Sequence, residues 1–368
     1  MHWVKGKVKI ILIVFAVLLM ANNFVIASDA EDSTIAKTIH ERFNPGEFIF
    51  DHIGDAHEWS IITIGHSNIA IPLPIILYSK EKGFVAFWSS RFHHGESSYK
   101  GFKLETEGKN RLKIVETCAD GTEVLPFDIS ITKNVAALLF SAALVLLIFI
   151  SLGNSYKKRG LKAPRGLQSL IEPFILFIRD DIARPSIGSK DFEKYMPFLL
   201  TVFFFIWINN MLGLIPLAPG GANVTGNIAI TMVLALCTFT ITNINGNKQY
   251  WKHMFNMPGV PIWLKLPIPL MPLVETIGLF TKPFVLMVRL FANITAGHII
   301  GLGFLSLIFL FGEMKPFLGY GVSIISVSFM MFMTLLELLV AFIQAYVFTF
   351  LSALYFGMAT EDHGHEQH

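Results

Sequence analysis

The chain has 368 residues, 53% of them hydrophobic and 15% charged, with a net charge of +2 and a mean hydropathy of +0.56. A water-soluble domain this apolar would expose one large adhesive patch, so the composition excludes an ordinary soluble enzyme. Apolar runs close to the length of a bilayer span, together with 34 phenylalanines, predict an all-α polytopic membrane protein.

Residues 1–27 carry Lys5, Lys7 and Lys9 ahead of an apolar run that closes on Val25-Ile26-Ala27, the pattern of a signal peptide or of a retained N-terminal anchor. Either form exports the adjoining segment. Residues 28–133 are polar and mixed, and the stretches GFVAFWSSRF and GTEVLPFDISIT alternate as short strands do, which predicts a small, partly β external region. The membrane domain is expected over 134–360, beginning with NVAALLFSAALVLLIFISLG (134–153). Behind it stand Lys157, Lys158, Arg159, Lys162 and Arg165, a cluster that marks a cytoplasmic loop and so puts 28–133 outside. LQSLIEPFILFIRDDIA is too short and too charged to span and reads as an interfacial amphipathic helix. Two further spans come next, YMPFLLTVFFFIWINNMLGLIP and IAITMVLALCTFTITNI, separated by the turn-rich PLAPGGANVTGN.

The last two apolar segments, about 270–310 and 322–358, are too long to stand upright. At 1.5 Å per residue each reaches about 55 Å, against a hydrocarbon core of about 30 Å. They are expected to lie strongly tilted or to pack across the membrane against something large. This completes about five transmembrane helices. Residues 361–368 form a His-rich tail that the same topology puts in the cytoplasm. That tail and His93-His94 read as solvated surface, with no metal site or cofactor expected. Cys118 and Cys237 fall in different compartments, which argues against a disulfide.

Inside this oil stand groups that resist being there. An arginine at a helix centre costs about 3 kcal/mol on insertion, and Arg289 is far from both ends of its segment. Glu275, Lys282 and Arg289 recur every seven residues and so share one face, with Asn293 four residues further on. His298 points elsewhere on the same helix, and on the last helix Glu337 and Gln344 again lie seven apart. An imidazole exchanges protons near physiological pH, whereas a guanidinium keeps its charge. A proton path beside a fixed electrostatic barrier fits that set.

The segments LVETIGLFTKPFVLMVRLFANITAGH and LLELLVAFIQAYVFTFLSALYFGMA resemble the last two helices of subunit a of F-type ATP synthases, the ATPase subunit 6 family. PRGLQSLIEPFILFIRDDI and FLLTVFFFIWINNMLGLIP, followed by ANVT, extend the resemblance to about residues 134–360. It implies a bacterial inner-membrane stator subunit that is not itself catalytic. Its partners would be a c-subunit ring, the peripheral-stalk subunit b and the rest of the ATP synthase, with ions crossing by two half-channels. On that resemblance Arg289 is the essential arginine against the ring, and Asn293 and Gln344 are its polar partners. His298 with Glu337 form the inlet pair, and Glu275 is the outlet carboxylate. Asn210 and Asn223 line the inlet, and Lys282 lines the path more loosely. Gly213 departs from members that carry an aspartate there, and residues 28–133 exceed the usual length. The rival class is an independent secondary transporter using Arg289 to hold an anionic substrate, although no internal repeat supports it. No span offers a hydrolase dyad or an H-E-x-x-H helix, and no GxxxxGK[ST] loop is present.

Overall fold

Alternation in PIILYS places Ile75 and Leu77 on a buried face and Tyr78 on an open one, the period of a half-buried strand. A computed structural model of the chain describes residues 43–64, 67–95, 97–105, 110–118, 122–159, 164–215, 220–255 and 270–360. The leader, Lys162, Lys265 and the His-rich tail lie outside the described residues.

The region ahead of the first span opens with α1 (Pro45–Ile53) and continues as short antiparallel strands. β1 (Glu58–Ile64) pairs with β2 (Ser67–Pro72), with a register shift between Ser60 and Ile62. β3 (Pro74–Ser79) is flanked by β4 (Gly83–Trp88) and β8 (Phe127–Asp128), and β6 (Ile114–Thr117) by β5 (Phe102–Leu104) and β7 (Glu123–Val124). Ile75, Leu77, Phe92, Phe102, Leu104 and Ile114 fill the core of this region. The strand expected over GFVAFWSSRF stops at Trp88, because Ser89–Gly95 winds into a 3-10 turn.

This region is fastened to the first span, α2 (Lys133–Arg159), by its own polar groups. The Asp55 carboxylate accepts from the Thr132 hydroxyl at 2.9 Å and from the Asn134 amide at 3.0 Å, capping the helix from 79 residues upstream. A carboxylate there satisfies an otherwise unpaired N–H and meets the positive end of the helix dipole. Beside it, His57 Nε2 lies 2.9 Å from Asp128 Oδ2. Burial pushes the Asp128 carboxyl upward, but hydrogen bonds from His57 and Ser130 outweigh it and hold the group below the usual carboxylate range.

The segment behind α2 is two-sided, as its sequence predicts. It comprises α3 (Leu167–Phe177), a π-helical turn at Ile178–Ala183 and α4 (Arg184–Ile187). Ile171, Ile178, Ile182 and Ala183 are buried, while Leu170 and Leu176 are exposed. α5 (Phe192–Gly213) and α6 (Ile228–Ile244) cross back and forth, and α7 (Lys248–Phe255) is a short helix at the end remote from the strands. A cluster of phenylalanines on α5 with Phe348 and Phe356 forms the main core.

The closing hairpin is longer than the apolar pattern indicates. α8 (Leu270–Met314) and α9 (Pro316–Thr360) each have 45 residues, about 68 Å at 1.5 Å per residue. FGEMKPFLGYG looks like an open turn, yet helix runs through it, broken only at Lys315, because proline is accommodated in the first turn of a new helix. The backbones meet closely there, and a Cβ on Gly319 would lie 2.8 Å from the Gly312 Cα. At the remote end, a Cβ on Gly357 would lie in the Ser186 carbonyl oxygen, so α9 rests directly on the α4 backbone. Asn247 then holds the end of α9, its amide donating to the Ala359 carbonyl and its side chain to that of Thr360, each at 2.9 Å.

Candidate functional site

α8 and α9 pack side by side with small residues at the seam, which lets polar side chains on the two helices meet. His298 Nδ1 lies 3.2 Å from Glu337 Oε1, both side chains 19% exposed. Gly297 makes this approach feasible, since a Cβ there would stand 2.4 Å from Glu337 Oε1. The pair opens on a cavity of about 320 Å³ walled by Asn210, Leu214, Asn293, Ile300, Met333 and Ala341 among others. That volume admits several waters, and its polar groups give them partners.

Asn210, on the last turns of α5, is 3% exposed. Its Nδ2 donates to the Ala341 carbonyl at 3.2 Å, and its Oδ1 accepts from the Thr225 hydroxyl at 2.5 Å. Asn223 is buried but turned to its own loop, its Oδ1 accepting from the Gly226 amide at 2.9 Å. Gly213 stands beside His298, whose Nε2 is 3.8 Å from where a Cβ on it would be. A side chain at that position would approach the imidazole, and among the described residues the carboxylate beside His298 is that of Glu337.

Asn293 Nδ2 donates to Gln344 Oε1 at 2.9 Å, tying α8 to α9 one helical turn from Arg289. Arg289 itself is exposed, and among the described residues no hydrogen bond or salt bridge engages its guanidinium. It shares an exposed stripe with Val285, Asn293, Ala296 and Ile300. The cation therefore lies on an exposed face of α8, and the cavity that holds His298 and Glu337 borders the same stripe through Asn293, Ala296 and Ile300.

On the other side of Arg289, fourteen residues along α8, Glu275 lies where its charge acts on Lys282 and on Tyr250 of α7. Burial, and after it the Glu275 carboxylate, pushes the Tyr250 phenol up. Lys282 Nζ stands 5.5 Å from the centre of the Tyr355 ring, and both residues border a small gap with Thr242 and Asn243. The geometry thus brings together His298, Glu337 and Asn210 in one cluster, Asn293 and Gln344 in a second, and Glu275 with Lys282 in a third. Arg289 lies between the first and the last.

Sequence reasoning missed Thr225, Gly297, Tyr250 and Tyr355. The first two act through tertiary approach rather than through an ionisable group. The tyrosines carry no charge that would mark them in an apolar sequence. Cys118 and Cys237 are free thiols. Among the described residues no group of three or more His, Cys, Asp or Glu converges as a metal site.

Comparison with known proteins gives two matches to family profiles. One described as ATP synthase A chain covers residues 135–357, and one described as a domain of unknown function covers 48–134. The chain is 46% identical over 254 residues to ATP synthase subunit a of Chloroherpeton thalassium, a match spanning 67% of this chain and 72% of that protein. It is 45% identical over 246 residues to ATP synthase subunit a 2 of Prosthecochloris aestuarii, spanning 65% and 72%. Against ATP synthase subunit a of Myxococcus xanthus it is 45% identical over 251 residues, spanning 65% and 78%.

Proposed function

The chain belongs to the ATP synthase A chain family and is an integral membrane component of an F-type ATP synthase, and from that premise we propose that it conducts protons in two half-channels past Arg289. The observation that carries this reading is the split of polar groups along α8. A water-sized cavity holds His298 and Glu337 at 3.2 Å, Glu275 and Lys282 lie on the other side, and a guanidinium unpaired among the described residues stands between them on an exposed face.

An imidazole and a carboxylate at that distance can pass one proton between them, and waters in the cavity can bring it from outside. Neither group lies on the exposed stripe, so the proton must next move to a partner pressed against that stripe. The partner this chemistry fits is a rotor ring of c subunits, each with a carboxyl group buried in the membrane. Opposite such a group Arg289 favours the ionised form, since attraction in a medium of low dielectric is strong. It makes the carboxyl release its proton toward the Glu275 side. Because the guanidinium does not deprotonate, it also blocks a direct leak between the two halves. The peripheral-stalk subunit b and the nucleotide-binding head complete the machine, and nucleotide chemistry belongs to the head. The strand-bearing end faces outward from a bacterial inner membrane and the α7 end faces the cytoplasm. The region 28–133 is a separate external domain on a membrane domain at 134–360.

The test is Arg289→Ala in the whole complex, expected to assemble with the ring yet neither synthesise ATP nor pump protons on ATP hydrolysis. Pumping at the wild-type rate would refute the role.

A further inference from the structure

The external domain has no role in the mechanism above, yet it is fastened to the membrane domain at three places. Asp55 and Ala56 hold the start of α2, the latter by accepting from the Lys133 amide at 2.9 Å. The Phe43 amide donates to Glu313 at the hairpin turn at 3.0 Å, with the Phe43 and Phe48 rings tilted against Phe309. The third fastening is Trp59 on β1, 7% exposed, whose indole N–H donates to the Gly220 carbonyl at 3.0 Å in a buried setting.

Gly220 opens a segment that lies behind the cavity wall and reaches it through Thr225, which donates to the wall residue Asn210. Gly220 has no room for a side chain, since a Cβ would stand 2.4 Å from the Ile215 carbonyl oxygen and 2.6 Å from that of Leu212. Gly221 then turns the chain at a φ of 72° and donates its amide to Leu212. Ala222 and Val224 pack with Ala137 of α2 against the Trp59 ring, and Thr225 closes on Asn210. Asn210 in turn grips the Ala341 carbonyl, one turn of α9 from Glu337. A continuous set of contacts therefore runs from the external domain to the wall beside the proton-passing pair.

We propose that Trp59 is a positioning residue for the inlet: the external domain, through this one indole, holds the 220–225 segment against α2, so that Thr225 keeps Asn210 in place in the cavity wall. The inference rests on the half-channel reading. Without the indole N–H the Gly220 carbonyl is left buried without a donor, and the segment adopts arrangements that do not support a water path to His298.

The experiment uses the complete ATP synthase in membrane vesicles and reads proton flux through the membrane sector after removal of the nucleotide-binding head, as a function of external pH. Trp59→Phe deletes the donor while keeping an aromatic ring, though a smaller one, in the cluster with Ala137, Ala222 and Val224. It is expected to lower flux per assembled complex about fivefold, the weight of one neutral buried hydrogen bond, and to move the external-pH midpoint, with Trp59→Ala lower still. Wild-type flux per complex and an unmoved midpoint in Trp59→Phe overturn the inference, even if the amount of complex falls. If Trp59→Ala does not assemble, Trp59→Phe decides alone. The variants His298→Ala and Glu337→Ala, run beside them, separate the two claims. Should both conduct normally, the half-channel reading fails, and with it the role of Trp59. If they fail to conduct while Trp59→Phe behaves as wild type, only the positioning role is lost.

Discussion

Gly297→Ala adds one methyl group at the close approach between α8 and Glu337, the partner of His298 in the proposed relay. The added Cβ would stand 2.4 Å from Glu337 Oε1, 3.0 Å from Cγ and 3.1 Å from Cδ, where ordinary contact begins at 3.4 Å. The oxygen must retreat by about 1 Å. It is the same oxygen that faces His298, and at 3.2 Å that contact has no slack. The carboxylate therefore changes rotamer and the pair separates. A hydrogen bond to a charged group is worth about 1.5–3 kcal/mol, but waters in the cavity replace part of it. A net loss of about 1 kcal/mol slows proton transfer about fivefold. ATP-driven acidification of inverted vesicles, read beside ATP hydrolysis, measures this. Gly301→Ala, one turn further along α8, is the control because a Cβ there meets nothing within 4 Å. Alanine favours helix over glycine in both variants, so poor folding does not account for a deficit in one alone. If Gly297→Ala pumps as Gly301→Ala does, the geometric argument for the pair is wrong.

Exchanging His298 and Glu337 in a double variant is expected to retain more pumping than either single alanine replacement, because one relay then survives with its ends reversed. Equal losses in all three, measured in the same vesicles, would show that the two groups act independently. The Asp128–His57 contact gives a pH dependence outside the membrane. A carboxyl held below its usual range stabilises the external domain above the ordinary carboxylate pKa, and that stability fades as pH falls through the depressed value. Protease resistance of the external domain in the intact complex should drop over that acid window. Asp128→Asn should be less resistant at neutral pH and show a flatter profile, and an identical acid transition in the variant would exclude the pair as its cause.

Much of the membrane part was legible in the sequence, because an ionisable group in oil announces itself. Arg289, Glu275 and Glu337 stand out by cost alone, and the seven-residue spacing of α8 puts Glu275 and Arg289 on one face without coordinates. What the residues do not disclose is which of them meet across distance. Trp59 reads as one more aromatic until its indole reaches Gly220, 161 residues away, and Asp55 reads as a loop acid until it caps α2. The hairpin shows the opposite failure. Glycine and proline near 312–321 suggest an open turn, yet close backbone packing at Gly312 and Gly319 rewards helix on both sides. Strands β1 to β3 escape a sequence reading because prolines and short polar breaks interrupt them.

The two grips on the ends of the hairpin bear on load. Phe43 on Glu313 secures one end, and Asn247 on Ala359 and Thr360 secures the other, with the Arg289 stripe near the middle. A rod clamped at one end bends easily under a sideways push, whereas one held at both ends barely deflects. Pressure from a turning partner on that stripe would then be carried into the rest of the protein as force, and the guanidinium would keep its place while the partner moves.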